Sequence, residues 1–322
     1  MKKQIIVTGG AGFIGSNLIE ALNKRGENHI LIVDDLGIDD KWRNLVVLNY
    51  ADYMEKNDFR FRLHNNSLEK ADTVFHLGAC SSTTERNAAF LADNNYRFSC
   101  ELCEWCLRRN TRFIYASSAA TYGDGSEGCS DDIGKITRLK PLNMYGYSKH
   151  MFDLWALKQG LLDKIAGIKY FNVYGPREAH KGDMRSMIHK AFCQIRETGK
   201  VCLFKSHRPD YRDGEQLRDF LYVRDAVTVT MFFTDNRNIN GIFNCGSGKK
   251  RTWLDLASAV FTAMRREPQI EFIDMPEVLR EKYQYDTEAD VSRLRKAGYT
   301  AQFASLEQGV LDYIEYLQAG GQ

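Results

Sequence analysis

Tyr145 and Lys149 stand four residues apart in Pro141-Leu142-Asn143-Met144-Tyr145-Gly146-Tyr147-Ser148-Lys149, and Met151-Phe152-Asp153-Leu154-Trp155 continues the run as a helix would. A helix puts residues four apart on one face. An ammonium about 5 Å from a phenol favours the phenolate; at an effective dielectric near 20 the gain is roughly 3 kcal/mol, or about two pKa units. Such a phenol works as an acid or base near neutral pH. Upstream, Tyr115-Ala116-Ser117-Ser118-Ala119-Ala120-Thr121-Tyr122-Gly123 follows a strand-like run and brings a hydroxyl, Ser117 or Ser118, to the strand end. There it can hydrogen-bond an alcohol or ketone at a reacting carbon. By itself the Tyr/Lys pair reads equally well as an ordinary surface pair, and its surroundings decide between the two.

Those surroundings begin with Thr8-Gly9-Gly10-Ala11-Gly12-Phe13-Ile14-Gly15, which follows the apolar run Ile5-Ile6-Val7 and precedes the helical Ser16-Asn17-Leu18-Ile19-Glu20-Ala21-Leu22. Glycines at 9, 12 and 15 let bare backbone approach a diphosphate, and the helix N-terminus offers unpaired N–H groups and a positive dipole end. A second strand, Ile30-Leu31-Ile32-Val33, ends in Asp34-Asp35. An acid there can accept hydrogen bonds from an adenosine ribose. A glycine triplet alone is also compatible with a tight turn that binds nothing. Strand, glycines, helix and acid about 20 residues on together read as a dinucleotide site, and its cationic nicotinamide would further favour a Tyr145 phenolate.

The elements that must position these groups alternate. Thr73-Val74-Phe75-His76-Leu77, Phe113-Ile114-Tyr115-Ala116 and Ile165-Ala166-Gly167-Ile168-Lys169-Tyr170-Phe171 read as further strands separated by helices. That order predicts an α/β fold: a Rossmann-type, doubly wound parallel sheet with right-handed crossovers and ligands at the strands' carboxyl ends. Gly175-Pro176-Arg177 interrupts the alternation. We expect a dinucleotide-binding domain over 1–171 with a return segment near 218–246, and a smaller mixed α/β substrate-binding lobe over 172–217 and 247–322. Residues 208–217 read as a polar loop.

With 322 residues the chain can bury a large core. Lys+Arg of 44 against Asp+Glu of 42 leaves a net charge of +2, which argues against nucleic-acid or membrane partners. No apolar run approaches 18 residues, and the start Met1-Lys2-Lys3-Gln4 runs straight into the first strand, so a cytoplasmic location is expected. Cys100, Cys103 and Cys106 invite a metal reading. Yet steps of three on a helix over 96–109 fan the thiols apart and no fourth cysteine is near. We therefore expect helix packing, no metal, and reduced thiols among the 8 cysteines.

Taken together, these motifs resemble the extended short-chain dehydrogenase/reductase family of nucleotide-sugar epimerases and dehydratases, over most of the chain. Within it, Gly78-Ala79-Cys80-Ser81-Ser82-Thr83-Thr84-Glu85, Asp93-Asn94-Asn95-Tyr96 and Phe171-Asn172-Val173-Tyr174-Gly175-Pro176-Arg177-Glu178-Ala179-His180-Lys181-Gly182 look like the branch that acts on ADP-heptose. The resemblance implies oxidation of the sugar at C6″ by bound NADP, with NAD also usable, and return of the hydride to the opposite face, in service of the lipopolysaccharide inner core. It implies Ser118, Tyr145, Lys149 and Lys181 as catalytic, with Tyr145 and Lys181 as the two acid/bases. Spacing alone would leave Lys181 a solvated loop lysine.

The cofactor would meet Gly9, Gly12, Phe13, Ile14, Gly15, Asp34, Asp35, Lys41, Lys56, Leu77, Gly78, Ala79, Cys80, Ser81, Asn95, Lys149, Val173 and Lys181. Asp34 favours a free ribose hydroxyl, hence NAD; Lys41 and Lys56 match lysines that reach a ribose phosphate, hence NADP. The substrate would meet Ser82, Asn172, Asp183, Lys190, Phe204, Lys205, Ser206, Arg218 and Tyr283, with the Arg218 guanidinium suited to a diphosphate. A homo-oligomer, with a pentamer the form suggested, is also implied. The chain departs from the family in a short 58–72 stretch, in an apparent insertion at 208–217, and in Asp183 where a small polar residue is expected. Family dehydratases carry an Asp-Glu pair after the Ser-Thr strand end, which Ser118-Ala119-Ala120-Thr121-Tyr122 lacks. A non-catalytic dinucleotide sensor would have no need of Ser118, Tyr145 and Lys149 together.

Overall fold

The computed structural model describes residues 4–38, 40–280 and 283–321. Its strands are β1 (Ile5–Thr8), β2 (Ile30–Asp34), β3 (Asp52–Glu55), β4 (Thr73–His76), β5 (Arg112–Ser118), β6 (Ala166–Tyr170), β7 (Asn172–Tyr174), β8 (Val201–Phe204), β9 (Leu217–Tyr222), β10 (Gly241–Cys245), β11 (Lys250–Thr252) and β12 (Ile270–Ile273). Seven of them form one sheet in the order β10-β6-β5-β4-β1-β2-β3, all pairs parallel. The Rossmann-type doubly wound sheet expected from the alternation is therefore present.

Both faces of the sheet are covered, which is why its strands are apolar throughout rather than alternating. Side chains still divide by parity. Ile5, Val7, Ile30 and Ile32 enter one core with Leu18, Ile19 and Leu22 of the helix Phe13–Lys24. Ile6, Leu31 and Val33 enter the other, with Phe98, Leu102, Cys103 and Cys106 of the helix Phe98–Arg108 and Phe152 of the helix Met144–Lys158. The three cysteines at 100, 103 and 106 are thus packing residues. Burial raises their thiol pKa values, Cys100 to about 12.

From β1 the chain builds one way through β2 and β3, then the other way from β4 to β6. The crevice where direction reverses lies beyond the carboxyl ends of β1 and β4, where ligands bind in such sheets. A second body stands over it. It holds the three-stranded sheet β11-β9-β7, the parallel pair β12-β8, and a third core built from the helices Met187–Thr198, Trp253–Ala263 and Leu306–Gln318. Ile14 and Val173 pack against both the first core and the third.

The chain's return differs in detail from the sequence reading. β9 joins β7 and β11, and it is the helix Val223–Asp235 and β10 that come back to the large sheet. Leu294 and Tyr299 also pack into the first core. Among the described residues no helix is long and apolar enough to cross a membrane.

Candidate active site

Gly9 has φ +70° and donates its N–H to Val33 O at 2.7 Å, which turns the chain sharply out of β1. A Cβ on Gly15 would lie 2.1 Å from Gly9 O, so the helix packs against the turn only because residue 15 is glycine. Gly12 caps the helix Phe13–Lys24 with no side-chain hydrogen bond and no acid in the first turn. Its leading N–H groups and positive dipole end therefore face the crevice without a protein anion, as a diphosphate requires. The residues present fit a dinucleotide.

At the end of β2 the acids are engaged. Asp34 accepts the Ala11 N–H through Oδ2 at 2.8 Å, and the Asp35 N–H and Lys41 Nζ through Oδ1, each at 2.8 Å. Lys56 Nζ lies 3.7 Å from Asp35 Oδ2 and donates to Asn94 Oδ1 at 3.0 Å. Two lysines and two carboxylates thus share the β2 end of the crevice.

The other end of the crevice is built by β5 and the helix Met144–Lys158. Asn143 caps that helix by accepting the Gly146 N–H. Of the two candidate serines, Ser117 also lines the cleft but commits its hydroxyl to the buried Asp153, donating to Oδ2 at 2.8 Å. Ser118 hydrogen-bonds the Tyr145 phenol and partly offsets the effect of burial, which raises the phenol above its ordinary value. This corrects the expected direction: in the protein alone desolvation outweighs any help from Lys149, whose charge is not among the influences on Tyr145. Lys149 is itself buried and donates Nζ to Ala116 O at 2.8 Å. Burial, opposed by Asp153, lowers its pKa to about 8.

Ser118, Tyr145, Lys149 and Lys181 all line one cleft of about 1300 Å³, together with Gly9, Gly12, Phe13, Ile14, Gly15, Asp34, Lys41, Val173 and the 77–82 segment. Lys181 Nζ lies 5.1 Å from the Phe13 ring centroid, against the glycine-rich turn. Asn172, Arg218 and Tyr283 line the same cleft. The Arg218 guanidinium stacks 4.9 Å over Tyr283 and 5.7 Å over Trp253.

A model of the NAD dependent epimerase/dehydratase family matches residues 5–246. The chain belongs to that family. Across 316 residues it is 56% identical to the ADP-L-glycero-D-manno-heptose-6-epimerase of Nitratidesulfovibrio vulgaris (strain DP4), covering 98% of each chain. It is 46% identical to the protein of the same name from Fusobacterium nucleatum subsp. nucleatum over 321 residues, covering 97% of each. The crystal structure of the Helicobacter pylori ADP-L-glycero-D-manno-heptose-6-epimerase superposes with a TM-score of 0.84 at 27% identity, over 99% of this chain and 97% of that one.

Several residues expected at this epimerase/dehydratase site stand elsewhere. Asn95 is fully buried behind it, accepting the Cys80 N–H and donating to Cys80 O and Ser148 Oγ. It sits in a π-helical turn, Ala92–Arg97, whose extra residue per turn no local pattern announced. Asp183 and Lys190 bond to each other, Nζ to the Asp183 carbonyl at 2.7 Å, outside the residues that line the cleft. Phe204, Lys205 and Ser206 also lie outside that lining. Lys205 pairs with Asp274 at 3.3 Å, and Ser206 donates its N–H to Asp213. Conversely, Arg185, Trp253 and Gln284 line the cleft unforeseen. They are single polar or aromatic residues in segments with no motif, and the fold alone gathers them.

Proposed function

We propose that the chain interconverts ADP-D-glycero-D-manno-heptose and ADP-L-glycero-D-manno-heptose at C6″, the step that readies a heptose donor for the lipopolysaccharide inner core. One observation supports this beyond family membership: a single cleft is lined by two separate titratable groups, the Tyr145 phenol with its Ser118 partner and the Lys181 amine over Phe13. Inverting a carbon that bears a hydroxyl needs proton transfer on each face of the transient ketone.

Bound oxidised NADP would supply the hydride acceptor and return the hydride. The N–H groups at Gly12 and the start of Phe13–Lys24 would hold its diphosphate. Lys41 and Lys56 support NADP over NAD, because Asp34 already accepts three hydrogen bonds from the protein and has little left for a ribose diol. Tyr145 Oη takes the hydroxyl proton during oxidation, oriented by Ser118. Lys149, anchored on Ala116 O, lines the same cleft as the phenol, and Lys181 Nζ exchanges the proton for the other face. Arg218, lying over the Tyr283 and Trp253 rings, would meet the substrate diphosphate in bidentate fashion.

Incubating the purified protein with either ADP-heptose and resolving the two C6″ epimers by chromatography tests this. We expect a mixture of both from either side. No interconversion of ADP-heptose, with interconversion of a UDP-hexose at C4, would overturn the substrate assignment.

A further inference from the structure

Glu178 is fully buried yet carries a carboxylate. It begins the segment that bears Lys181, the 3-10 turn Ala179–Met184. Oε2 accepts the Ser186 N–H at 2.7 Å, Oε1 accepts the Ser186 hydroxyl at 2.5 Å, and Oε2 lies 4.0 Å from Lys181 Nζ. Ser186 in turn caps the helix Met187–Thr198 by accepting the His189 N–H. On its inner side Glu178 is hydrogen-bonded to the Tyr313 phenol, whose oxygen pairs with His189 Nδ1 at 2.9 Å, while His189 Nε2 meets Arg185 at 3.2 Å. One carboxylate therefore closes the loop at both ends, and Lys181 stands inside that closure. A buried charge is stable only when paired and hydrogen-bonded, and here every partner belongs to the loop or to the helices beneath it.

We propose that Glu178 is the positioning residue for Lys181: its buried carboxylate fixes the 179–185 loop and holds the lysine amine at the cleft wall as a protonatable group. This rests on the reading of Lys181 as an acid/base. The charged and titratable groups around the amine are Glu178, which favours its proton, and Lys190, which disfavours it; burial also disfavours it, and the net direction is downward. Behind Glu178 stand Tyr313, His189 and Arg185. Removing the carboxylate's charge should therefore lower the proton affinity of Lys181 further and let the loop drift.

The test is Glu178→Gln, which keeps the size and can still accept from Ser186. The pH dependence of Lys181 labelling by an amine-selective reagent is read by mass spectrometry on the intact folded chain, so it does not depend on epimerisation. The labelling midpoint should fall by at least half a pH unit. In the epimerisation assay kcat should fall at least tenfold, with KM within about threefold of wild type and the alkaline side of the pH profile moved the same way. Ser186→Ala removes a hydrogen bond from Glu178 without touching its charge, and should leave the labelling midpoint in place. If Glu178→Gln does not fold, Glu178→Asp withdraws the carboxylate by one methylene and is expected to move the midpoint in the same direction. An unmoved midpoint in the folded Glu178 variant, or an equal shift in Ser186→Ala, overturns the proposal. A wild type that fails to interconvert ADP-heptose while the midpoint shifts as expected overturns the substrate reading alone.

Discussion

The phenol of Tyr145 and the amine of Lys149 are both pushed by burial toward their neutral forms, the first upward and the second down to about 8. Their work has to be separable from folding. Tyr145→Phe removes one oxygen whose partner, Ser118, keeps the Ala120 N–H, so the protein should fold and bind dinucleotide as before. Its epimerisation rate should fall about 10²–10⁴-fold; a variant keeping more than about a tenth of the wild-type rate would show that the phenol is not the acid/base.

For Lys149 the sign runs two ways. As pH rises through about 8 the folded lysine loses its proton, so catalysis that relies on the ammonium declines. The unfolded lysine keeps its proton to about 10.5, so between these values the unfolded chain binds more protons and this group's contribution to stability rises with pH. Rate should therefore fall between pH 8 and 9.5 while Tm does not fall with it. Parallel loss of both would assign the decline to unfolding. Tyr145 and Lys149 were legible in the sequence because a four-residue spacing is local. Asp153, which binds Tyr115, Ser117 and Lys169 in one buried cluster, was not, because its partners come from two strands far away in the chain.

Elements meet here at tight junctions. Gly15→Ala would drive a Cβ to 2.1 Å from Gly9 O, backbone against backbone with no side chain free to yield. Overpacking of this kind costs about 1–3 kcal/mol. Because the shift falls on the turn that would hold a diphosphate, dinucleotide affinity should drop more steeply than the urea midpoint; equal affinity in a folded variant would mean that the turn does not hold the diphosphate.

A second junction is His76, fully buried where β4, β1 and the helix Phe98–Arg108 converge. Ser99 donates its hydroxyl to Asn95 O, so it accepts from His76 Nε2–H, and Nδ1 accepts from Thr8. The ring is held neutral, with its pKa lowered to about 3 by burial and by the charge of Lys149. An unfolded histidine takes up its proton below about 6.5, so stability is lost as pH falls from 6.5 toward 3. By pH 5 the loss from this group is about 2 kcal/mol. Urea midpoints at pH 7 and pH 5 should show that loss in the wild type and lack it in His76→Gln. The strands and glycine turn of these junctions could be read directly, since each is a short periodic run. The division of labour between β9 and the helix after it could not, because Phe220-Leu221-Tyr222 suits either sheet and only the register against Asn172-Val173-Tyr174 selects one.

Across the whole molecule, the two sheet-face cores and the core of the second body flank one cleft, and Ile14 and Val173 belong to the packing on both sides of it. With residues shared in this way, the bodies are expected to unfold together. Heating should give one transition, and the dinucleotide at 100 times its Kd should raise stability by about 2.7 kcal/mol, or roughly 4 °C in Tm for a chain of 322 residues. Two resolved transitions, only one of them moved by the dinucleotide, would show that the bodies are energetically separate. That seam also bears on the life of the protein in a cell. Chains continuously sample their unfolded state, and quality-control proteases remove a share of what they find there. A ligand seated between the two bodies withdraws the molecule from that sampling as a unit. Scarcity of dinucleotide would then be registered as fewer copies of the protein, so that its abundance follows the supply of the cofactor that its cleft is shaped to hold.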